Sequence, residues 1–352
     1  MKILVRGTNW IGDAVMTIPA LRELRCVFPD AQITLHTRSW AEGIFRDSDL
    51  LDAIIPFDES SSNFRTLLEQ SRLLRSKKFD LAVVFPNSYR SAAMVKLAGI
   101  PRRFGYAKEG RGMLLTDAIK IPDWKSSRHE VFYYLNLVSE VERRIVGTRR
   151  VESTKPGIGL TVAPERVELA KQMLMGHGLE PAKPTVALGP GSTNSMAKRW
   201  PIERFAELSD RIQKECGANI VLLGSKQESD VAGQLQAHAM LPVIDMTGKT
   251  DLGEASSILK ACDAFVSNDM GLAHLAAAVG TQALVIFGPT DPTTTRPFAE
   301  NARVIREAVE CSPCMLRECP IDHRCMTRIS VDQVLGYVRE ALATDAKFDL
   351  SK

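Results

Sequence analysis

No G-x-G-x-x-G follows the first apolar run of this sequence, and no G-x-x-x-x-G-K-[ST] occurs in it. No stretch approaches the roughly 18–20 apolar residues that a membrane span requires. These absences set aside the common dinucleotide turn, the P-loop and a membrane-spanning protein. The formal net charge is only +3, so no overall field for nucleic acid is implied and no nucleic-acid partner is expected. Short-period repeats and low-complexity segments are missing too. The opening Met1-Lys2-Ile3-Leu4-Val5 reads as a short strand, interrupted by Arg6, and not as a targeting segment. The expectation is a cytoplasmic protein that can touch a membrane surface without crossing it.

What is present is an ordinary globular composition, 45% hydrophobic and 25% charged over 352 residues, a length that suggests about two domains. Short apolar runs at residues 3–5, 32–36, 53–56 and 81–85 alternate with helical patterns such as 14–27 and 66–75. The rhythm restarts at 185–188, 219–223, 243–245, 264–266 and 283–287, with helical patterns at 202–215, 229–239, 252–260 and 272–279. Strand–helix alternation of this kind builds a parallel sheet. Pro156, Gly157, Gly159 and Pro164 crowd the region where the order lapses. The predicted fold class is therefore α/β: two Rossmann-like doubly wound domains facing across a cleft, residues 1–155 and 156–330. A last helix within 331–352 is expected to pack back on the first domain.

Ligands of such sheets bind outside the carboxyl ends of the strands, so the informative loops are those that leave strands. One is Gly189-Pro190-Gly191-Ser192-Thr193-Asn194-Ser195-Met196-Ala197-Lys198-Arg199-Trp200-Pro201. Its small residues, hydroxyls and cations before a helix suit a diphosphate, although a solvated surface loop reads the same way. A second is Ser267-Asn268-Asp269-Met270-Gly271-Leu272-Ala273-His274, a capping run before an Ala-rich helix. Here Asp269 and His274, placed at the carboxyl end of a strand, are read as candidate ligand residues in preference to a helix cap and a structural histidine. A third, Phe287-Gly288-Pro289-Thr290-Asp291-Pro292-Thr293-Thr294-Thr295-Arg296-Pro297, offers four threonines and an arginine to a nucleotide or phosphate, or is simply a rigid Pro-rich turn.

The first strand-to-helix turn, residues 7–14, carries Asp13 where an anion would otherwise dock. A helix start keeps a carboxylate ionised, by about 0.3–1 kcal/mol, and that carboxylate repels a second anion. Asp13 is thus either a proton acceptor or a helix cap. Residues 102–128 hold seven Lys or Arg against three acids, with glycines that make the stretch loop-like. That excess suits an anionic partner or a solvated basic face. Cys311, Cys314, Cys319 and Cys325 form C-x2-C-x4-C-x5-C around His323. The spacing is too tight for the usual two-knuckle zinc pattern, so a packed loop of reduced thiols is preferred to structural zinc.

Taken in order and spacing, Gly7…Gly12-Asp13, Gly189-Pro190-Gly191-Ser192…Lys198-Arg199-Trp200-Pro201, Asn268-Asp269-Met270-Gly271-Leu272-Ala273-His274-Leu275 and Phe287-Gly288-Pro289-Thr290 resemble the bacterial ADP-heptose:lipopolysaccharide heptosyltransferases of the GT-B fold. The cysteine segment is most similar to the heptosyltransferase II branch, which adds the second inner-core heptose. The resemblance implies an inverting transfer from ADP-heptose to a lipid-linked core, heptosyl-Kdo2-lipid A, with peripheral contact at the inner face of the cytoplasmic membrane. It makes Asp13 the base. Ser192, Thr193, Lys198, Asp269, Gly271, Leu272, His274 and Thr290 become donor-side residues, while Gln227 and Glu228 both stay open for the ribose. The basic stretch, with Arg102, Arg103 and Arg111, is expected to meet the acceptor's acidic groups. Without a D-x-D pair at a donor loop, no metal and no further cofactor is expected. The alternatives are heptosyltransferase I or III on another acceptor and, more remotely, a nicotinamide-dependent oxidoreductase.

Overall fold

The computed structural model describes residues 1–58, 63–193 and 195–343. The chain divides into two units, Met1–Ile158 and Gly159 onward.

The first unit is built on six strands: β1 (Lys2–Arg6), β2 (Gln32–Arg38), β3 (Ala53–Phe57), β4 (Leu81–Val84), β5 (Arg102–Tyr106) and β6 (Asp117–Ile119). They pair in the order β3-β2-β1-β4-β5-β6, every pairing parallel. Helices cover both faces of such a sheet, which is why its central strands read as unbroken apolar runs. Ile3, Leu4 and Val5 of β1 and the whole of β4 are buried.

The second unit repeats the plan with β7 (Thr185–Gly189), β8 (Asn219–Leu222), β9 (Ile244–Asp245), β10 (Ala264–Asn268), β11 (Gln282–Ile286) and β12 (Ala302–Ile305), ordered β12-β11-β10-β7-β8-β9. Its pairings are parallel as well. Each sheet therefore reverses its winding once, between β1 and β4 and between β7 and β10. Ligands of doubly wound sheets bind beside such reversals.

Two expectations need correction. The basic stretch is not a loop throughout: Arg102 and Arg103 open β5, and β6 lies inside it. The Arg-Arg-Phe-Gly-Tyr sequence hides a strand behind two charges and a glycine, and three residues are too few to show a period. The last helix, Val331–Ala343, belongs to the second unit and packs into that unit's own core. Val331, Val334, Leu335 and Val338 recur at helical spacing and join Val186, Leu188, Trp200 and Phe205 in the second unit's core. That stripe closes over the helix Ile202–Cys216 and the β10–β11 face.

Leu335→Ala should therefore lower the stability of the second unit by about 2–5 kcal/mol, the usual cost of emptying a fully buried leucine site. Denaturant unfolding followed by tryptophan fluorescence measures it. A change within error would show that the helix contributes little to that core.

Candidate functional site

At the carboxyl end of β1, Gly7 passes so close to β2 that an added Cβ would lie 2.8 Å from Thr37 Oγ1. Only glycine takes that path without displacing its neighbour. Arg6 is buried, stacks 4.5 Å over the Phe57 ring and donates from Nη2 to Asn9 Oδ1 at 3.1 Å, bracing the turn. The helix Ile11–Met16 follows. Its cap is the extended Trp10, without a side-chain cap bond, and Asp13 sits inside the first turn. Asp13 is therefore not the helix cap.

Its carboxylate is turned instead toward the helix Glu130–Ile145, where Tyr134 Oη donates to Asp13 Oδ1 at 2.9 Å. Burial raises the Asp13 pKa. The Tyr134 hydrogen bond works against this, the Glu130 charge adds to it and the Lys125 charge opposes it; the result is about 6, against an ordinary 3.8. A carboxylate poised there is ionised at neutral pH yet holds a proton better than a solvated one. Burial pushes the Tyr134 hydroxyl well above its usual range, so it stays a donor. Lys125 and Glu130, the two charges that act on Asp13, pair with each other.

The three arginines expected to meet an acceptor are committed elsewhere. Arg102 holds Asp117 through two bonds of 2.8 and 2.9 Å. Arg103 donates to the Leu114 and Ile100 carbonyls at 2.9 and 2.6 Å. Both open β5, at the amino end of the sheet. Arg111 is fully buried and donates to the carbonyls of Tyr106, Pro86 and Ser88. It organises the loops after β4 and β5 from within. Exposed cations on the carboxyl edge are instead Lys108 and Lys120, with Arg90 half-buried beside them.

In the second unit, three loops converge at the β7–β10 reversal. Asp269 Oδ2 accepts from Lys198 Nζ at 2.6 Å and from Thr290 Oγ1 at 2.8 Å, joining the loops after β7, β10 and β11. Asp269 is therefore no helix cap; the extended Met270 occupies that place before the helix Gly271–Ala278 and makes no side-chain bond. Gly271 and Leu272 begin the helix, and His274 is buried within it. Asn268, which the motif reading had treated only as part of a capping run, is fully buried. Its Oδ1 accepts from Trp200 N–H at 2.9 Å, and its Nδ2 donates to the Pro190 and Gly191 carbonyls at 2.7 and 3.2 Å. One side chain thus fixes both ends of the loop.

Within that loop the Ser192 carbonyl accepts from Arg199, at 3.0 Å from Nη2. Ser192 is buried and Thr193 exposed, with Thr193 Oγ1 3.4 Å from Glu228 Oε1. An added Cβ at Gly191 would fall 2.1 Å from the same Glu228 oxygen, so any side chain there would displace Glu228 from its capping box. Glu228 itself closes a capping box with Ser225, whereas Gln227 is exposed.

The cysteines are free thiols. Cys325 is buried, its thiol pushed up by that burial and then by the other three; Cys311 and Cys319 are half-buried and Cys314 is exposed. Among the described residues, no three His, Cys, Asp or Glu side chains gather as a metal site.

Two consecutive parallel sheets, each wound in the same order, define a two-domain α/β enzyme of GT-B architecture. The solved structure of Escherichia coli ADP-heptose lps heptosyltransferase II matches with a TM-score of 0.83 and 28% identity, over 97% of this chain and 98% of that one. The family model for glycosyltransferase family 9 (heptosyltransferase) matches residues 68–324. Lipopolysaccharide heptosyltransferase 2 of Escherichia coli K12 is 31% identical over 313 residues, 87% of this chain and 88% of that protein. Lipopolysaccharide heptosyltransferase 1 of Pseudomonas aeruginosa PAO1 is 30% identical over 335 residues, 91% of this chain and 87% of that protein. The chain belongs to glycosyltransferase family 9, the heptosyltransferases.

Because the folded pKa of Asp13 lies above its ordinary value, its favourable contribution to stability is complete below pH 3.8 and is lost as the pH rises through about 6. Asp13→Asn should accordingly raise the melting temperature at pH 7.5 and leave it unchanged near pH 3.5. An equal effect at both pH values would show that Asp13 is not held at a cost.

Proposed function

We propose that this protein is an inverting heptosyltransferase that moves heptose from ADP-heptose to the inner core of lipopolysaccharide, adding the second heptose to heptosyl-Kdo2-lipid A. The observation that carries the acceptor choice is the 31% identity, across nearly the whole length of both chains, to a protein named lipopolysaccharide heptosyltransferase 2. A first-heptose enzyme is the second reading, favoured by the 30% identity to a lipopolysaccharide heptosyltransferase 1.

The chemistry divides between the units. On the first, Asp13 takes the proton from the acceptor hydroxyl as that oxygen attacks C1 of the donor sugar. A well-placed general base is worth about 10²–10⁴-fold. On the second, the C1–oxygen bond breaks and ADP leaves with the electron pair. The charge growing on its diphosphate is met by Lys198, by the N–H groups at the start of the helix Gly271–Ala278, and by Ser192 and Thr193. Asp269 and Thr290 act one step back: a carboxylate beside a diphosphate repels it, so Asp269 aims Lys198 instead of touching the donor. The Lys198 ammonium, with these N–H and hydroxyl donors, carries the leaving-group charge, so the reading requires no metal. Gln227, exposed after β8, is better placed for a ribose hydroxyl than the internally bonded Glu228.

Peripheral contact with an anionic membrane surface fits the first unit's carboxyl edge. Trp10, Tyr89 and Met113 follow β1, β4 and β5 there and are exposed, with Arg90, Lys108 and Lys120 on the same edge. Among the described residues no helix is long and apolar enough to cross a membrane.

Acceptors carrying zero, one or two heptoses, each incubated with ADP-heptose, test the assignment. Product from the one-heptose acceptor alone is expected; product from the heptose-free acceptor would assign the first transfer instead. Asp13→Asn should abolish turnover while ADP still binds. The pH profile of kcat/KM should rise with a midpoint near 6, the acidity burial gives Asp13. Tyr134→Phe removes a bond that favours the carboxylate and should move that limb to higher pH. Glu130→Gln removes a repelling charge and should move it lower. Limbs that stay put in both variants would take Asp13 out of the base role.

A further inference from the structure

The cysteine-rich segment is the one motif that this function leaves unassigned. It runs along both loops that hold Asp269. On the β7 side, Ala197 N–H donates to the Arg317 carbonyl at 2.9 Å, Ser195 Oγ reaches the same carbonyl at 3.1 Å, and His323 Nε2 lies 2.6 Å from the Ala197 carbonyl. Trp200 Nε1 donates to the Ile329 carbonyl at 3.0 Å. On the β11 side, Ser312 Oγ donates to the Gly288 carbonyl at 2.5 Å and Met315 N–H to the Pro289 carbonyl at 2.8 Å. A Cβ at Gly288 would come within 2.3 Å of Met326 Sδ and 3.1 Å of Cys325 Sγ, so the sulfur-bearing side chains fill the space under that turn.

Both polar groups of Ala197 are therefore tied to one segment, and Lys198 is the next residue. The Ala197 carbonyl and the Lys198 N–H belong to one rigid peptide plane. Holding that plane places the Lys198 Cα and narrows the directions in which its side chain can leave the backbone. The plane is held at its N–H by the Ser195 carbonyl, at 3.3 Å, and at its carbonyl by His323, whose own backbone is left-handed at φ 56°, a conformation that a side chain larger than glycine adopts only at a cost. The ring nitrogen facing a carbonyl must carry the proton, so Nε2 is the donor. The neighbouring thiols pack the segment in place, and the imidazole delivers its one directed bond to the lysine loop.

We infer that His323 is a positioning residue for the donor diphosphate: it sets the Ala197–Lys198 peptide and, through it, the ammonium that meets the leaving group. The inference rests on the reading of Lys198 as the phosphate lysine. ADP binding by calorimetry to the full-length protein, as wild type, Lys198→Ala, His323→Ala, His323→Gln and the double variant, tests both. Lys198→Ala and His323→Ala should each weaken ADP binding, by about tenfold for His323→Ala. The double variant should bind no more weakly than Lys198→Ala alone, because a residue that acts only through Lys198 has nothing left to position. His323→Gln, which keeps an N–H donor, should recover most of the loss. Unchanged ADP affinity in Lys198→Ala would overturn the phosphate assignment and this inference with it. A Lys198 effect with no His323 effect, or additive losses, would overturn the inference alone. Should His323→Ala not fold, His323→Gln against His323→Phe keeps the comparison, since the two differ in the donor and both fill the site.

Discussion

One carboxylate oxygen holds the carboxyl edge of the second unit together. Asp269 Oδ2 receives both Lys198 and Thr290, so three loops that the sheet delivers to one place are tied at a single atom. The residue before it, Asn268, does the same for the backbone of the longest of those loops. Neither contact is a strong source of stability. Taking an aspartate nearly out of water costs several kcal/mol, and a lysine partner roughly offsets that. What the pair provides is position: removing Asp269 would leave the lysine without its counter-charge and the three loops without a common anchor. The pattern also explains the composition of the loop. Gly191 has to pass beside Glu228, and Asn268 has to reach under Pro190, so small residues are needed where bulk would push the strands' ends apart.

Asp13 is the same side chain in the opposite electrostatic setting. It lies after β1, the counterpart of β7 and not of β10, and its direct partner is a neutral tyrosine hydroxyl, while Lys125, the cation that acts on it, is already paired with Glu130. Burial without a direct cationic partner raises the affinity of Asp13 for a proton. One fold thus presents a carboxylate with a raised proton affinity on one sheet and a carboxylate-bound ammonium on the other. The difference lies in what each carboxylate faces.

Much of this was legible in the residues. Central parallel strands are buried on both faces, so β1, β4, β7 and β10 stand out as apolar runs, and the loops after them mark the site before any geometry is known. The misses have a common cause. Tyr134 lies 121 positions from Asp13, and nothing local to either residue announces the bond. Arg111 looks like any exposed cation, yet its partners are carbonyls contributed by separate loops. Arg102 and Arg103 suggest a basic loop because charge masks the strand they begin. The apolar stripe of the last helix was visible, but a stripe does not say which core it covers; in the structure it covers the second unit's β10–β11 face.

The lysine loop shows why so much structure is spent on one ammonium. A free lysine side chain loses about 1.5–2 kcal/mol of rotamer entropy when it is fixed. If that cost fell at binding, it would come directly out of the affinity for the donor. Here Asp269 orders the head of the side chain, and the segment through Arg317 and His323 orders the peptide at its base. The cost is therefore met on folding. An ammonium bonded to one carboxylate oxygen still has two N–H groups to offer. Thr290 donates to that same oxygen and draws off part of its negative charge, so Asp269 orients the lysine without cancelling it. An ammonium held this way is aimed before anything binds and keeps N–H groups to offer, as the role proposed for it beside a departing diphosphate requires.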